Sequence, residues 1–166
     1  MQPFLRSFRP MVTLLALAFL VACSSKTEDL PPPTTVAGMS WVVDGGPLMT
    51  TTLQGQRSGN ELTIAGTVNP NGPTTHYLQL SMPAAVGTYT FSLATTASGT
   101  YSKRTAFGTE VYYAGATGLG TVAGTGSIVV TALTATSTSG TFVFTGIDLA
   151  TGASKAITSG KFTVGL

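Results

Sequence analysis

From Val36 to Leu166, apolar and polar residues alternate at every second position instead of at the three-to-four spacing of a helix. In the stretch Gly87-Thr88-Tyr89-Thr90-Phe91-Ser92-Leu93, Tyr89, Phe91 and Leu93 take one face while Thr88, Thr90 and Ser92 take the other. Glu61–Ile64, Leu78–Met82, Thr141–Phe144 and Lys161–Val164 alternate likewise. Successive side chains of a strand point to opposite faces, so the pattern predicts half-buried strands of an antiparallel sheet. Turn signals separate the runs, among them Asp44-Gly45-Gly46, Ser58-Gly59-Asn60, Asn69-Pro70-Asn71-Gly72-Pro73 and Thr138-Ser139-Gly140. Strands are expected near 39–44, 48–54, 61–68, 76–82, 88–94, 100–106, 110–114, 126–134 and 141–147, with a last hairpin whose arms lie at 154–158 and 161–165. No segment combines helix caps with an amphipathic stripe, and scattered Gly and Thr disfavour helix further. Short strands at regular spacing predict an all-β antiparallel sandwich of about nine or ten strands, with a lipocalin-like closed barrel as the alternative. A barrel would hold a ligand cavity, whereas a sandwich would work through its loops. Trp41 shares parity with Val43 and is assigned to the core.

The alternation begins only after a different kind of segment. Arg6 and Arg9 form a basic region and Met11–Val21 an apolar one, too short for the roughly 20 residues of a spanning helix. This is the layout of a secretory signal peptide. It ends in Leu20-Val21-Ala22-Cys23, which resembles a bacterial lipobox. The resemblance implies cleavage before the cysteine and acyl chains on it. Cys23 is the chain's only cysteine. As an anchor it leaves the domain without a disulfide. Several acyl chains hold a protein firmly, at about 0.8 kcal/mol per buried CH₂. The chain is therefore divided into a lipoprotein signal peptide at 1–22, a lipidated cysteine and Pro/Thr/Ser-rich tether at 23–35, and an all-β domain at 36–166. Pro31–Pro33 favour an extended, semi-rigid spacer. Lys26-Thr27-Glu28-Asp29 resembles the short charged signal of some surface-exposed Bacteroidetes lipoproteins, and reads equally as a solvated linker.

Cleavage also changes the charge. The formal +2 rests on Arg6 and Arg9, so the remaining cations and carboxylates balance. No basic surface is left to neutralise phosphates, which excludes nucleic acid as a partner.

The stretches Ser40-Trp41-Val42-Val43-Asp44-Gly45, Val86-Gly87-Thr88-Tyr89, Ser139–Gly146 and Ile157–Val164 are strand aromatics joined to turn glycines. In them the chain resembles an uncharacterised family of Bacteroidetes lipoproteins with a small all-β domain. The resemblance implies the fold and an outer-membrane address, on the periplasmic or the surface face. It brings no catalytic or binding residue.

Motifs for chemistry are sparse. His76 is the only histidine, and no Gly-x-Ser-x-Gly elbow accompanies it. A hydrolase would have to use it with a carboxylate from Asp44, Glu61, Glu110 or Asp148. Asp44 and Asp148 sit at turn signals, where Asp bonds nearby backbone. No calcium-loop or zinc-ligand spacing is present, so neither a metal nor another cofactor is expected. Gly118–Gly126 is glycine-rich but lacks the helix and lysine of a phosphate loop, and reads as a connection. Trp41, Tyr77, Tyr101, Tyr112 and Tyr113 are candidates for stacking on sugar rings. Tyr112 and Tyr113, adjacent in a strand, face opposite sides, and they are the candidate ligand-binding residues. The sequence thus points to a non-enzymatic envelope lipoprotein that binds or scaffolds, anchored through lipid on Cys23. The alternative is a carbohydrate- or small-ligand-binding module, with a glycan or an envelope protein as partner.

Overall fold

A computed structural model describes residues 36–166. The expected signal peptide at 1–22, Cys23 and the expected tether at 23–35 lie outside the described residues.

All regular structure among the described residues is β-strand. The strands are β1 (Gly38–Val43), β2 (Gly46–Met49), β3 (Thr52–Ser58), β4 (Glu61–Val68), β5 (Thr75–Pro83) and β6 (Gly87–Thr90). They continue with β7 (Ser98–Thr105), β8 (Gly108–Ala116), β9 (Val122–Ala123), β10 (Thr125–Leu133), β11 (Ser137–Ile147) and β12 (Ser154–Gly165). Nine of them follow one path, β2-β1-β12-β11-β8-β7-β5-β4-β3, which curls into a half-barrel. β10 branches from β11 and carries β6, while β9 lies on β8. Every pairing is antiparallel. The all-β antiparallel expectation holds, and the two expected layers are two walls of one curled sheet. One wall comprises β2, β1, β12, β11, β10 and β6. The other comprises β8, β7, β5, β4 and β3.

The walls join at two places. On one side the segment expected as a single strand at 48–54 is split into β2 and β3. Thr50 N donates to Met39 O at 2.9 Å and Thr51 N to Thr67 O at 2.8 Å, so the chain passes from β1 to β4 at this kink. On the other side β11 meets β8 only at Ile147 and Tyr113.

Two further expectations need correction. The last hairpin at 154–158 and 161–165 is one strand, β12, bulged at Ser159 with φ 52°. Ser159-Gly160 has turn composition, but β1 and β11 pair with β12 on both sides of it. Held between two neighbours, the chain bulges and does not reverse. The strand expected at 88–94 stops at Thr90. Phe91 still turns into the core, but the chain then bends and Leu93 is exposed.

The core lies between the walls. β4 and β5 contribute Leu62, Ile64, Leu78, Leu80 and Met82, all fully buried. The opposite wall answers with Met39, Trp41, Ile157 and the phenyl series Phe142, Phe144 and Phe162. Phe142 is centred 6.4 Å from Phe144 and 6.5 Å from Phe162. Gly99 lets the walls approach, since a Cβ there would lie 2.9 Å from the Phe144 ring.

The half-barrel has two distinguishable ends. β1 begins where Gly38 pairs with Thr163 and finishes where Val43 pairs with Ile157. The chain therefore arrives at one end, here called proximal, and the turn at Asp44 lies at the other, distal end.

Candidate functional site

The inner face of the β5-β7-β8 wall changes chemistry along its length. Three successive cross-strand rows point inward: Leu80-Gly99-Ala114, Leu78-Tyr101-Tyr112 and His76-Lys103-Glu110. The first is apolar, the second aromatic with hydroxyls, and the third ionisable. The third row lies at the distal end and forms one lip of a mouth. The other lip carries Asp44, at the β1–β2 turn, and Lys155, which shares inward parity with Ile157 on β12.

These groups are joined by specific contacts. His76 Nδ1 and the Tyr101 hydroxyl are 2.7 Å apart. Burial, then the carboxylates of Asp44 and Glu110, push the Tyr101 hydroxyl far above the ordinary tyrosine range. Burial, then Lys103, pushes His76 below the ordinary histidine range. A protonated Tyr101 and a neutral His76 make Tyr101 the donor and Nδ1 the acceptor. Tyr112 stacks on Tyr101 with centroids 6.2 Å apart, and its hydroxyl donates to Glu110 Oε2 at 3.0 Å. Lys155 Nζ stands 5.5 Å from the centre of the Tyr112 ring. It donates to Asp44 Oδ1 at 3.1 Å and Oδ2 at 2.9 Å, which raises its pKa.

Thus the fold gathers His76, Tyr101, Lys103, Glu110, Tyr112, Asp44 and Lys155 from four strands and a turn. Among the described residues, His76 makes no hydrogen bond to a carboxylate or to a serine or threonine hydroxyl. Asp44 is engaged by Lys155 and Glu110 by Tyr112. Among the described residues no group of three or more His, Cys, Asp or Glu is placed to hold a metal. What the mouth offers is a bracket of fixed donors and acceptors of both signs.

The expected site residues are distributed unevenly. Tyr112 is buried, so it cannot form an exposed stacking platform; Tyr101 and Lys155 cover its ring. Tyr113 faces the opposite side, half-buried, and donates its hydroxyl to Ala116 O at 2.7 Å. Trp41 is core, as its parity indicated. Asp148 accepts from Ala150 N at 2.8 Å and Thr151 N at 3.3 Å, which is the turn role expected of it. These backbone donors also hold its carboxyl below the ordinary range. Glu61 pairs with Pro83 at the proximal end, remote from the mouth. The loop within 118–126 is a connection closed by Thr117 N donating to Thr121 O at 2.7 Å. Cys23 lies outside the described residues. Sequence reasoning missed Lys103 and Lys155. Their only signal was parity, a charge on the inward face of a strand.

Residues 42–165 match the family described as a domain of unknown function, DUF6252. The chain belongs to that family. The DUF6252 match runs from Val42 in β1 to Gly165 at the end of β12, so it includes every residue of the mouth. This agrees with the expectation of an uncharacterised family. No curated protein and no solved structure matches the chain.

Proposed function

We propose that this DUF6252 protein is a membrane-anchored lipoprotein of the bacterial cell envelope, held in the outer membrane by lipid on Cys23, as in Bacteroidetes lipoproteins. Its role is non-enzymatic binding or scaffolding. One observation carries the reading: the chain enters the sheet at the proximal end, and the ionisable mouth lies at the distal end. The mouth thus lies at the end of the sheet opposite the one where the chain enters at β1, open to whatever the protein meets. The lipobox-like Leu20-Val21-Ala22-Cys23 and the proline-rich spacer supply the anchor and the reach. The absence of a base–nucleophile contact at His76 among the described residues favours binding over hydrolysis.

Replacing Cys23 by Ser tests the anchor. The wild-type chain should sediment with the membrane fraction and C23S should not. A variant that still sediments with membranes overturns the anchor. Full hydrolytic turnover of any substrate that vanishes in His76→Ala would overturn the non-enzymatic reading.

A further inference from the structure

A second feature of the distal end lies outside the mouth. On the outer face of β4, β5, β7 and β8, a cleft of about 310 Å³ opens beside the β4–β5 loop. Thr67, Thr75, Tyr77, Ser102, Arg104 and Thr109 line it. Cross-strand register builds it from two rows, Thr67-Tyr77-Ser102 and Thr75-Arg104-Thr109. Both rows face outward because His76 and Lys103, between them in the chain, face inward.

The cleft is organised around one cation. Arg104 Nη2 donates to Pro70 O and to Thr75 Oγ1, each at 3.3 Å, which holds the exposed guanidinium beside the β4–β5 loop. Arg104 has no ion-pair partner among the described residues, where Lys155–Asp44 is the one salt bridge. The carboxylate nearest in sequence, Glu110, belongs to the inward row. Tyr77 is fixed as well, its hydroxyl donating to Gln79 Oε1 at 2.7 Å.

We propose that this cleft binds a carboxylated saccharide of the uronic-acid class. A guanidinium meets a carboxylate through two parallel hydrogen bonds, a geometry that a lysine cannot reproduce. The threonine and serine hydroxyls both donate and accept, so they match sugar hydroxyls in either sense. The Tyr77 ring supplies an apolar wall for the C–H face of a sugar. The volume is at the small end of ligand sites, suited to about one or two sugar units. A polyphosphate or nucleic acid would need a row of cations, which this face lacks. A peptide adding to the sheet would need a free edge, and β5 and β7 are paired on both sides. The inference deepens the binding reading above but does not depend on the lipid anchor.

The test is calorimetric titration of the full-length chain in detergent micelles with galacturonate, glucuronate and mannuronate trimers. The fully methyl-esterified form of each trimer serves as the neutral counterpart. At least one free acid should bind saturably, about tenfold or more tighter than its ester. Arg104→Gln should remove that difference while leaving ester binding unchanged, and Arg104→Lys should restore only part of it. Tyr77→Ala should weaken acid and ester alike. Arg57→Gln, a charge loss on β3 at the proximal end, should change nothing. Failure of all three acids to bind, equal binding of acid and ester, or a folded Arg104→Gln with undiminished binding would each overturn the proposal. If Arg104→Gln does not fold, the acid–ester difference in the wild type and in Arg104→Lys decides. These outcomes are independent of the Cys23→Ser fractionation, so either reading can fail alone.

Discussion

The deep interior and the mouth are built by the same strands, yet they are held together by different physics. In the interior the row is Leu80, Gly99 and Ala114, with Gly99 against Phe144, and stability comes from area removed from water and from close packing. Two residues further along β5, β7 and β8, the inward groups are Leu78, Tyr101 and Tyr112. Two beyond those they are His76, Lys103 and Glu110. The tyrosine rings are buried and the last row is partly wet, and three side chains are placed by a neighbour: Tyr101 by His76, Tyr112 by Glu110, Lys155 by Asp44. The comparison teaches that inward orientation fixes which face a residue takes, while depth along the strand decides whether it becomes core or site.

The comparison can be broken by mutation, with effects that should shrink from the interior toward the mouth. Phe144→Ala removes the ring that Gly99, Phe91 and Phe142 pack against. It should cost about 3–5 kcal/mol in urea unfolding. Gly99→Ala places a methyl 2.9 Å from the same ring and should cost about 1–3 kcal/mol by overpacking. A paired Phe144→Leu change should return part of that loss. At the mouth, Tyr101→Phe keeps the stacked ring and deletes one hydroxyl, so about 1 kcal/mol is expected. A loss at Tyr101 as large as that at Phe144 would show the mouth to be core after all.

The smallest effect is one of pH, and it separates the two regions most cleanly. The folded state holds His76 below the ordinary value of 6.5, mainly by burial and then by Lys103. The unfolded chain therefore takes up the proton first as pH falls. Stability from this source is present above that value and declines as pH drops through it. Lys155 runs the other way. Asp44 raises its pKa, so its contribution is complete below the ordinary lysine range and fades only as pH rises past it. Melting curves taken between mildly alkaline and mildly acidic pH should show a modest fall that His76→Gln flattens. Phe144→Leu should lower every point of that curve by a similar amount and leave its shape unchanged.

The same contrast explains what could be read from the sequence. Alternation located most of the strands, because Thr and Ser mark the outer faces of β4, β5 and β11 as plainly as Leu, Ile and Phe mark the inner ones. Parity put Trp41 inside and set Tyr112 and Tyr113 on opposite faces. Parity carries no depth, so it does not tell which of Tyr112 and Tyr113 is open to a ligand, and it does not mark Lys103 and Lys155 as part of a site. The kink at Thr50-Thr51 was also illegible, because β-branched residues favour continuing a strand. Only the hydrogen bonds to Met39 and Thr67, remote in sequence, show where it breaks. Ser159-Gly160 misled for the opposite reason. Its composition favours a turn, and two neighbouring strands overrule it.

The pairing of β1 with β12 has a consequence in time. Gly38 and Thr163 are partners, so the first strand must wait for almost the last residues before it gains the neighbour that completes it. β11 waits for the same strand. A chain with such distant partners closes slowly, since a long loop must be ordered before its contacts return anything. While it is being synthesised, the domain cannot settle until its C-terminus has emerged. A chain cut short before Ser154 would leave β1 and β11 as bare edges, inviting a neighbouring chain to pair with them.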